Sequence, residues 1–113
     1  MKHLMTLALT AMMSMTVTFA SWAEDFKPAV IYDMGGKFDK SFNESVYNGL
    51  KKFTDETGIS VMEFEVTNEA QREQAMRRMI ARGATLVLGV GFAQADAINK
   101  VAGDNPDKKF AII

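Results

Sequence analysis

Residue types that often carry enzymatic chemistry are absent or scarce in this sequence. The chain has no cysteine, and its one histidine (His3) and one tryptophan (Trp22) fall within the first 23 residues. The remaining chain therefore has no cysteine nucleophile, no histidine for a serine triad and no zinc site of the usual His/Cys type. We expect no catalytic residue, no metal and no cofactor, although chemistry by carboxylates stays possible.

Residues 1–23 have the pattern of a secretory signal. Lys2 and His3 give a basic start, Leu4–Phe19 is apolar, and Ser21-Trp22-Ala23 supplies small residues at the positions that precede a cut. We predict cleavage after Ala23 and a mature protein in the periplasm. A retained signal anchor is the alternative, but the apolar run is short for a membrane span. Because a lipid anchor needs a cysteine at the cut, we expect the protein not to be a lipoprotein.

The charge of the mature chain argues against nucleic acid as a partner. Without Lys2, the 13 basic residues become 12 against 14 acidic ones, so the net charge is −2. Both signs are interspersed along the predicted helices, and a basic footprint for nucleic acid is missing. We interpret the face with Arg72, Arg77 and Arg82 as solvated, with a Glu73–Arg77 pair, and anion binding there as the alternative.

Residues 24–113 alternate between short apolar runs and segments whose apolar residues recur every three or four positions. Strands that alternate with helices over short connections predict a parallel sheet between helices, a three-layer α/β/α arrangement of the α/β class. The period of two in Ile59–Val66 indicates an edge strand. The predicted strands are Ala29–Tyr32, Ile59–Val66, Ala84–Val90 and one that begins at Lys109; the predicted helices are Phe42–Thr57, one from its cap Asn68 to Gly83, and Phe92–Ala102.

The stretch from Asp33 to Asn43 follows the first strand and is the main candidate for a binding site. Gly35 and Gly36 allow a sharp turn because neither carries a Cβ that clashes at positive φ. Ser41 and Glu44 have the spacing of a capping box, which predicts the start of the first helix. The stretch is thus expected at the carboxyl end of a strand, where open α/β sheets bind ligands.

A second glycine-rich loop, Gly89–Gly91, is expected at the same edge of the sheet. Phe42 and Phe92 each follow one of the two loops, so a flat ring could stack on either. For both, a place in the core is the alternative. The polar candidates are Asp33, Asp39, Ser41 and Asn43, of which Asp39 is alternatively a turn residue and Ser41 is primarily a cap.

These residues favour a neutral ligand with hydroxyl groups and an aromatic ring. A phosphate would meet the like charges of Asp33 and Asp39, and the loop has neither a dinucleotide fingerprint nor a P-loop. A nucleoside fits best. Solute capture for import is the leading hypothesis, and the alternatives are a secreted carboxylate-dependent nucleoside hydrolase and a ligand-sensing module for a membrane receptor.

The stretch Asp33–Asn43, with Gly49 and with Gly91-Phe92, resembles the basic membrane protein family of ABC-transporter substrate-binding proteins, which includes purine nucleoside receptors. The resemblance implies a type I periplasmic binding protein, of which residues 24–113 are part of the N-terminal lobe, and an inner-membrane ABC permease as partner. It implies that Asp33, Phe42 and Asn43 belong to a nucleoside site, with Gly91 and Phe92 in a second pocket loop. The second lobe and the hinge are expected outside this chain.

Overall fold

A parallel sheet forms the centre of the computed structural model, which describes residues 25–113. Its four strands have the order β2-β1-β3-β4. Among the described residues, no helix combines the length and the apolar character needed to cross a membrane. The elements are β1 (Pro28–Tyr32), α1 (Phe42–Thr57), β2 (Met62–Glu65), α2 (Gln71–Ala81), β3 (Leu86–Gly89), α3 (Ala95–Asp104) and β4 (Lys109–Ile112), with a 3-10 turn at Phe92–Gln94 before α3.

Helices cover both faces of this sheet. Met76 of α2 and Val101 of α3 pack with Ile31 on one face, and Val46 of α1 packs with Val30 on the other. All of β1 is buried, as expected for a central strand that is covered on both sides. Each large apolar side chain buried in this way contributes roughly 1.5–3 kcal/mol. The predicted three-layer α/β/α arrangement is therefore confirmed.

The two outer strands of the sheet are more exposed than the inner ones. β2 pairs with β1 alone and alternates between half-buried and exposed residues, which confirms the predicted edge strand. β4 forms the other edge, and three of its four residues are exposed. The two candidate loops therefore follow the inner strands of the sheet, β1 and β3.

One predicted helix end is confirmed, and two predicted helix starts differ from the structure. Gly58 ends α1 as expected, with φ 73° and its amide donating to Thr54 O at 2.8 Å. The predicted side-chain cap at Asn68 is wrong, because its backbone carbonyl accepts from the Gln71 amide while the Gln71 side chain accepts from the Thr67 amide. The third helix is predicted to begin at Phe92, but α3 begins at Ala95, and Phe92 lies exposed in the 3-10 turn before it.

Candidate functional site

The loops after β1 and β3 enclose one cavity. Both strands run in the same direction and are neighbours, so the two loops leave the sheet at the same edge. The cavity between them has a volume of about 240 Å³. The predicted convergence of the two glycine-rich loops is confirmed. The lining residues are Asp33, Met34, Asp39, Phe42, Asn43, Val90, Gly91, Phe92 and Ile113.

Ser41 is the predicted site residue that does not line this cavity. It borders a neighbouring depression together with Ser45 and Val46. Met34, Val90 and Ile113 line the cavity without having been singled out from the sequence. Their apolar side chains carry no motif, and the order of the strands is what brings them to this edge.

The glycines after β1 shape the loop rather than the cavity. Gly35 and Gly36 have φ angles of 106° and 74°, which residues with a Cβ rarely adopt. A Cβ on Gly36 would lie 2.8 Å from Glu65 Oε1, and the Lys37 amide donates to the same oxygen at 2.9 Å. The turn is thus tied to the end of β2, and it borders a different depression from the candidate site.

Asp39 caps the first turn of α1. Its Oδ1 accepts from the amides of Ser41 at 2.8 Å and Glu44 at 3.1 Å, and its Oδ2 accepts from the Asn43 amide at 3.3 Å. The predicted capping box is wrong, because the Glu44 side chain accepts from the Lys40 amide at 2.8 Å. Lys40 has a positive φ angle of 62°, and this turn of the backbone places the Asp39 side chain at the N-terminus of α1.

These contacts favour the ionised form of Asp39. Desolvation opposes ionisation, but the backbone amides of Ser41, Glu44 and Asn43 outweigh it and lower the pKa of Asp39 below its usual value. The positive end of the α1 dipole acts in the same direction. Asp39 is therefore a hydrogen-bond acceptor at neutral pH rather than a proton donor.

Asn43 fixes the backbone at the point where β1 ends. Its side chain is buried, Oδ1 accepts from the Asp33 amide at 2.9 Å, and Nδ2 donates to the Asp33 carbonyl at 3.1 Å. The side-chain amide of Asn43 thus binds both backbone groups of Asp33, as a neighbouring strand would do in a sheet. It lines the cavity, but its two polar atoms already bind Asp33.

Asp33 has one carboxylate oxygen bound within the protein and one beside Gly91. Oδ1 accepts from the Met34 amide at 2.8 Å and from Arg72 Nη1 at 2.7 Å. Oδ2 lies next to Gly91, where an added Cβ would come within 2.6 Å of it. The close approach of the two loops therefore depends on glycine at position 91, and Asp33 Oδ2 has the chemistry of a hydrogen-bond acceptor.

Two exposed aromatic rings line the same cavity as Asp33. Phe42 is 62% exposed and Phe92 is 90% exposed, and both line the cavity. The alternative that either ring belongs to the core is therefore wrong. The rings are available to cover a flat ligand, while Asp33 offers a polar contact in the same cavity.

Sequence reasoning missed the role of Arg72. The predicted solvated face does include the Glu73–Arg77 pair, at 3.0 Å, but the Arg72 side chain is only 4% exposed. It binds Glu69 and Asp33, and the hydrogen bonds to Glu69 are the main cause that raises the pKa of Arg72. The missed signal was spacing, because Arg72 precedes the buried Ala75, Met76 and Met79 by three, four and seven positions.

The arrangement can bind a polar aromatic molecule. Asp33 Oδ2 accepts hydrogen bonds, the two phenylalanines supply flat apolar surface, and the backbone of the loops fixes both. Within residues 25–113, no group of three or more His, Cys, Asp or Glu side chains is placed to hold a metal ion.

Comparisons with known proteins show which family this chain resembles. Residues 26–113 match a family described as ABC transporter substrate-binding protein PnrA-like. An uncharacterized lipoprotein of Pyrococcus abyssi is 31% identical over 93 residues, which cover 80% of this chain and 23% of the relative. The ABC transporter nucleoside-binding protein BmpA of Lactococcus lactis is 29% identical over 93 residues, which cover 79% of this chain and 26% of that protein.

The fold is also similar to that of solved binding proteins. A structure of ABC transporter system solute-binding proteins from Aeropyrum pernix K1 has a TM-score of 0.70 and 28% identity, and the match covers 77% of this chain and 24% of that one. The chain spans about a quarter of the length of the curated relatives that it matches.

Proposed function

We propose that this chain, which belongs to the Bmp family of PnrA-like ABC transporter substrate-binding proteins, is part of a protein that captures a nucleoside or a similar aromatic, polyhydroxylated solute for import. Family membership supports solute binding for an ABC transporter. The name of the Lactococcus lactis relative supports a nucleoside as the solute. The partner would be an ABC permease in the inner membrane.

The observation that carries the proposal is the make-up of the cavity. Asp33 Oδ2 lies beside Gly91, and the exposed rings of Phe42 and Phe92 line the same space. A sugar hydroxyl can donate to the carboxylate while a base lies against an aromatic ring. Asp39, which also lines the cavity as a carboxylate, disfavours a phosphate at the same place.

The geometry also bears on the architecture. The cavity opens at the edge of a single sheet, and 240 Å³ is small for a site that buries most of a ligand. We propose that residues 24–113 are part of the N-terminal lobe of a two-lobed, type I periplasmic binding protein. The second lobe would close over the exposed Phe42 and Phe92.

We interpret the protein as a binding protein rather than an enzyme. A nucleoside hydrolase that used Asp33 and Asp39 would need one carboxyl group to hold a proton near neutral pH. The lowered pKa of Asp39 keeps that carboxyl group ionised, so Asp39 does not fit the role of proton donor. A sensing module would bind the same ligand and would differ in its membrane partner.

Titration of the purified protein with nucleosides tests the proposal. We expect saturable shifts of the amide resonances of Met34, Gly91 and Phe92 with at least one purine or pyrimidine nucleoside, and weaker binding of its 5′-monophosphate. The lack of any shift with the whole panel would remove the nucleoside claim. Release of free base and sugar during the titration would instead support the hydrolase.

We also propose that the protein is exported, cut after Ala23 and free in the periplasm. The signal pattern lies in residues 1–23, outside the residues that the structure describes. The Pyrococcus abyssi relative is named a lipoprotein, whereas this sequence has no cysteine. The intact mass of the protein from a periplasmic extract should begin at Glu24 without added lipid, and a larger mass in the membrane fraction would contradict this.

A further inference from the structure

Arg72 lies beside the candidate site without lining it. Its side chain is 4% exposed, and it belongs to the first turn of α2. A buried guanidinium is costly unless its donors are bound. Arg72 meets that requirement with acceptors from two different segments, Glu69 and Asp33.

Glu69 holds one edge of the guanidinium. Arg72 Nε donates to Glu69 Oε2 at 2.8 Å, and Nη2 donates to Oε1 at 3.0 Å. Such a two-point contact fixes the plane of the group as well as its position. Hydrogen bonding to Arg72 lowers the pKa of Glu69, although its side chain is 71% exposed.

The other edge of the guanidinium faces the binding loop. Arg72 Nη1 donates to Asp33 Oδ1 at 2.7 Å, and the Met34 amide donates to the same oxygen at 2.8 Å. With Oδ1 bound twice, the carboxylate has one orientation, in which Oδ2 lies on the side of Gly91. Loss of Arg72 would leave Oδ1 with one donor and allow the carboxylate to rotate.

We propose that Arg72 is a positioning residue for ligand binding, which acts through Asp33 and not by contact with the solute. The inference rests on the proposed function, because it assigns to Asp33 Oδ2 the acceptance of a hydrogen bond from a sugar hydroxyl of the ligand. Glu69 contributes indirectly by fixing Arg72.

The experiment compares a nucleoside with its free base, for example adenosine with adenine, on the purified protein and its variants. R72Q should lower the affinity for the nucleoside about tenfold, the size expected for a hydrogen bond to a charged group, with little change for the base. D33N should have the same effect, and the double variant should be no worse than D33N alone, since both changes remove one contact.

Arg77 provides the matched control. It lies on the same helix and is paired with Glu73 and Asp104, but it is 40% exposed and is not among the residues that line the cavity. R77Q removes the same charge and should change neither affinity. If R72Q does not fold, E69Q carries the test, because it keeps Arg72 and weakens its two-point contact; a smaller loss for the nucleoside alone is expected.

Two results would overturn the inference and can be told apart. Equal losses for nucleoside and base in R72Q and E69Q, or no loss in either, would show that Arg72 is a purely structural residue while the proposed function stands. Failure of the unmodified protein to bind any nucleoside would contradict the proposed function and this inference together.

Discussion

The two loops that enclose the cavity are held in different ways. The loop after β1 is fixed by side chains, because Asp33, Asp39 and Asn43 each make at least two hydrogen bonds to it, to α1 or to α2. The loop after β3 is fixed by its backbone, since the Gly91 amide donates to Ile113 O at 2.8 Å and the Gly91 carbonyl accepts from the Gln94 amide at 3.1 Å.

The difference assigns separate tasks to the two sides of the site. The first loop holds a polar group in a set orientation, which under the proposed function would reduce the free energy lost when a ligand orders it. The second loop presents Phe92, which few groups restrain, at the outer edge of the cavity. We therefore expect changes in the loops to affect stability and affinity in different proportions.

A side chain at position 91 should have the largest effect, because it forces the two loops apart. Gly91 has φ 92° and ψ 149°, a region that is nearly restricted to glycine, and its Cβ would lie 2.6 Å from Asp33 Oδ2. We expect G91A to lower the free energy of unfolding by about 2 kcal/mol and to abolish measurable nucleoside binding. Urea denaturation and titration measure the two effects.

Gly103 is the control for that substitution. It lies in α3, and an added Cβ would meet nothing within 4 Å. G103A should therefore stabilise the protein by about 0.5–1 kcal/mol through helix propensity, without change in affinity. Equal stability of G91A and the unmodified protein would show that the close approach of the loops is not needed.

Loss of the Asp39 carboxylate should have the next largest effect, confined to the first loop. D39A removes the acceptor for three amides at the start of α1, so the melting temperature should fall by several degrees. S41A should change the free energy of unfolding by less than about 0.5 kcal/mol, because Asp39 performs the capping. A larger effect of S41A than of D39A would restore the capping box that the sequence suggested.

Lowering the pH should remove the difference in melting temperature between D39A and the unmodified protein. The folded-state pKa of Asp39 lies below its unfolded value, which is about 3.9. Its contribution is therefore complete above the unfolded pKa and is lost as the pH falls through the folded pKa. Thermal melts of both proteins from pH 7 downward should converge, and a constant difference would contradict the assignment.

The sequence predicted the layers but not the details of the first loop. Apolar periodicity depends on burial across whole elements, and burial is why the alternation of strands and helices, the edge strand and the convergence of the loops followed from it. The cap depended instead on one backbone angle, φ 62° at Lys40, which a non-glycine residue seldom adopts. Asp39, two positions before the expected cap, competed successfully for the same amides.

The prediction that the Arg72 side chain is solvated was wrong for a related reason. A run of arginines on a helix is usually solvated, and Arg77 follows that rule with partners on the surface. Arg72 shares the buried face of α2 because Asp33, from a distant part of the chain, neutralises it. No local pattern contains that partner, although the helical spacing to Ala75 and Met79 marks the position as buried.

Truncation of Phe92 should have the smallest effect on stability. It should also distinguish most clearly between the contributions of the two loops to stability and to affinity. The ring is 90% exposed, so F92A should change the free energy of unfolding by less than about 0.5 kcal/mol. If the base stacks on it, affinity should fall about tenfold. Phe38 is a matched control, since it is also exposed but packs edge-on against Tyr47, with ring centroids 5.2 Å apart, outside the cavity lining. F38A should leave the affinity unchanged, whereas unchanged affinity in F92A would assign the stacking contact to Phe42 alone, because that ring lines the same cavity.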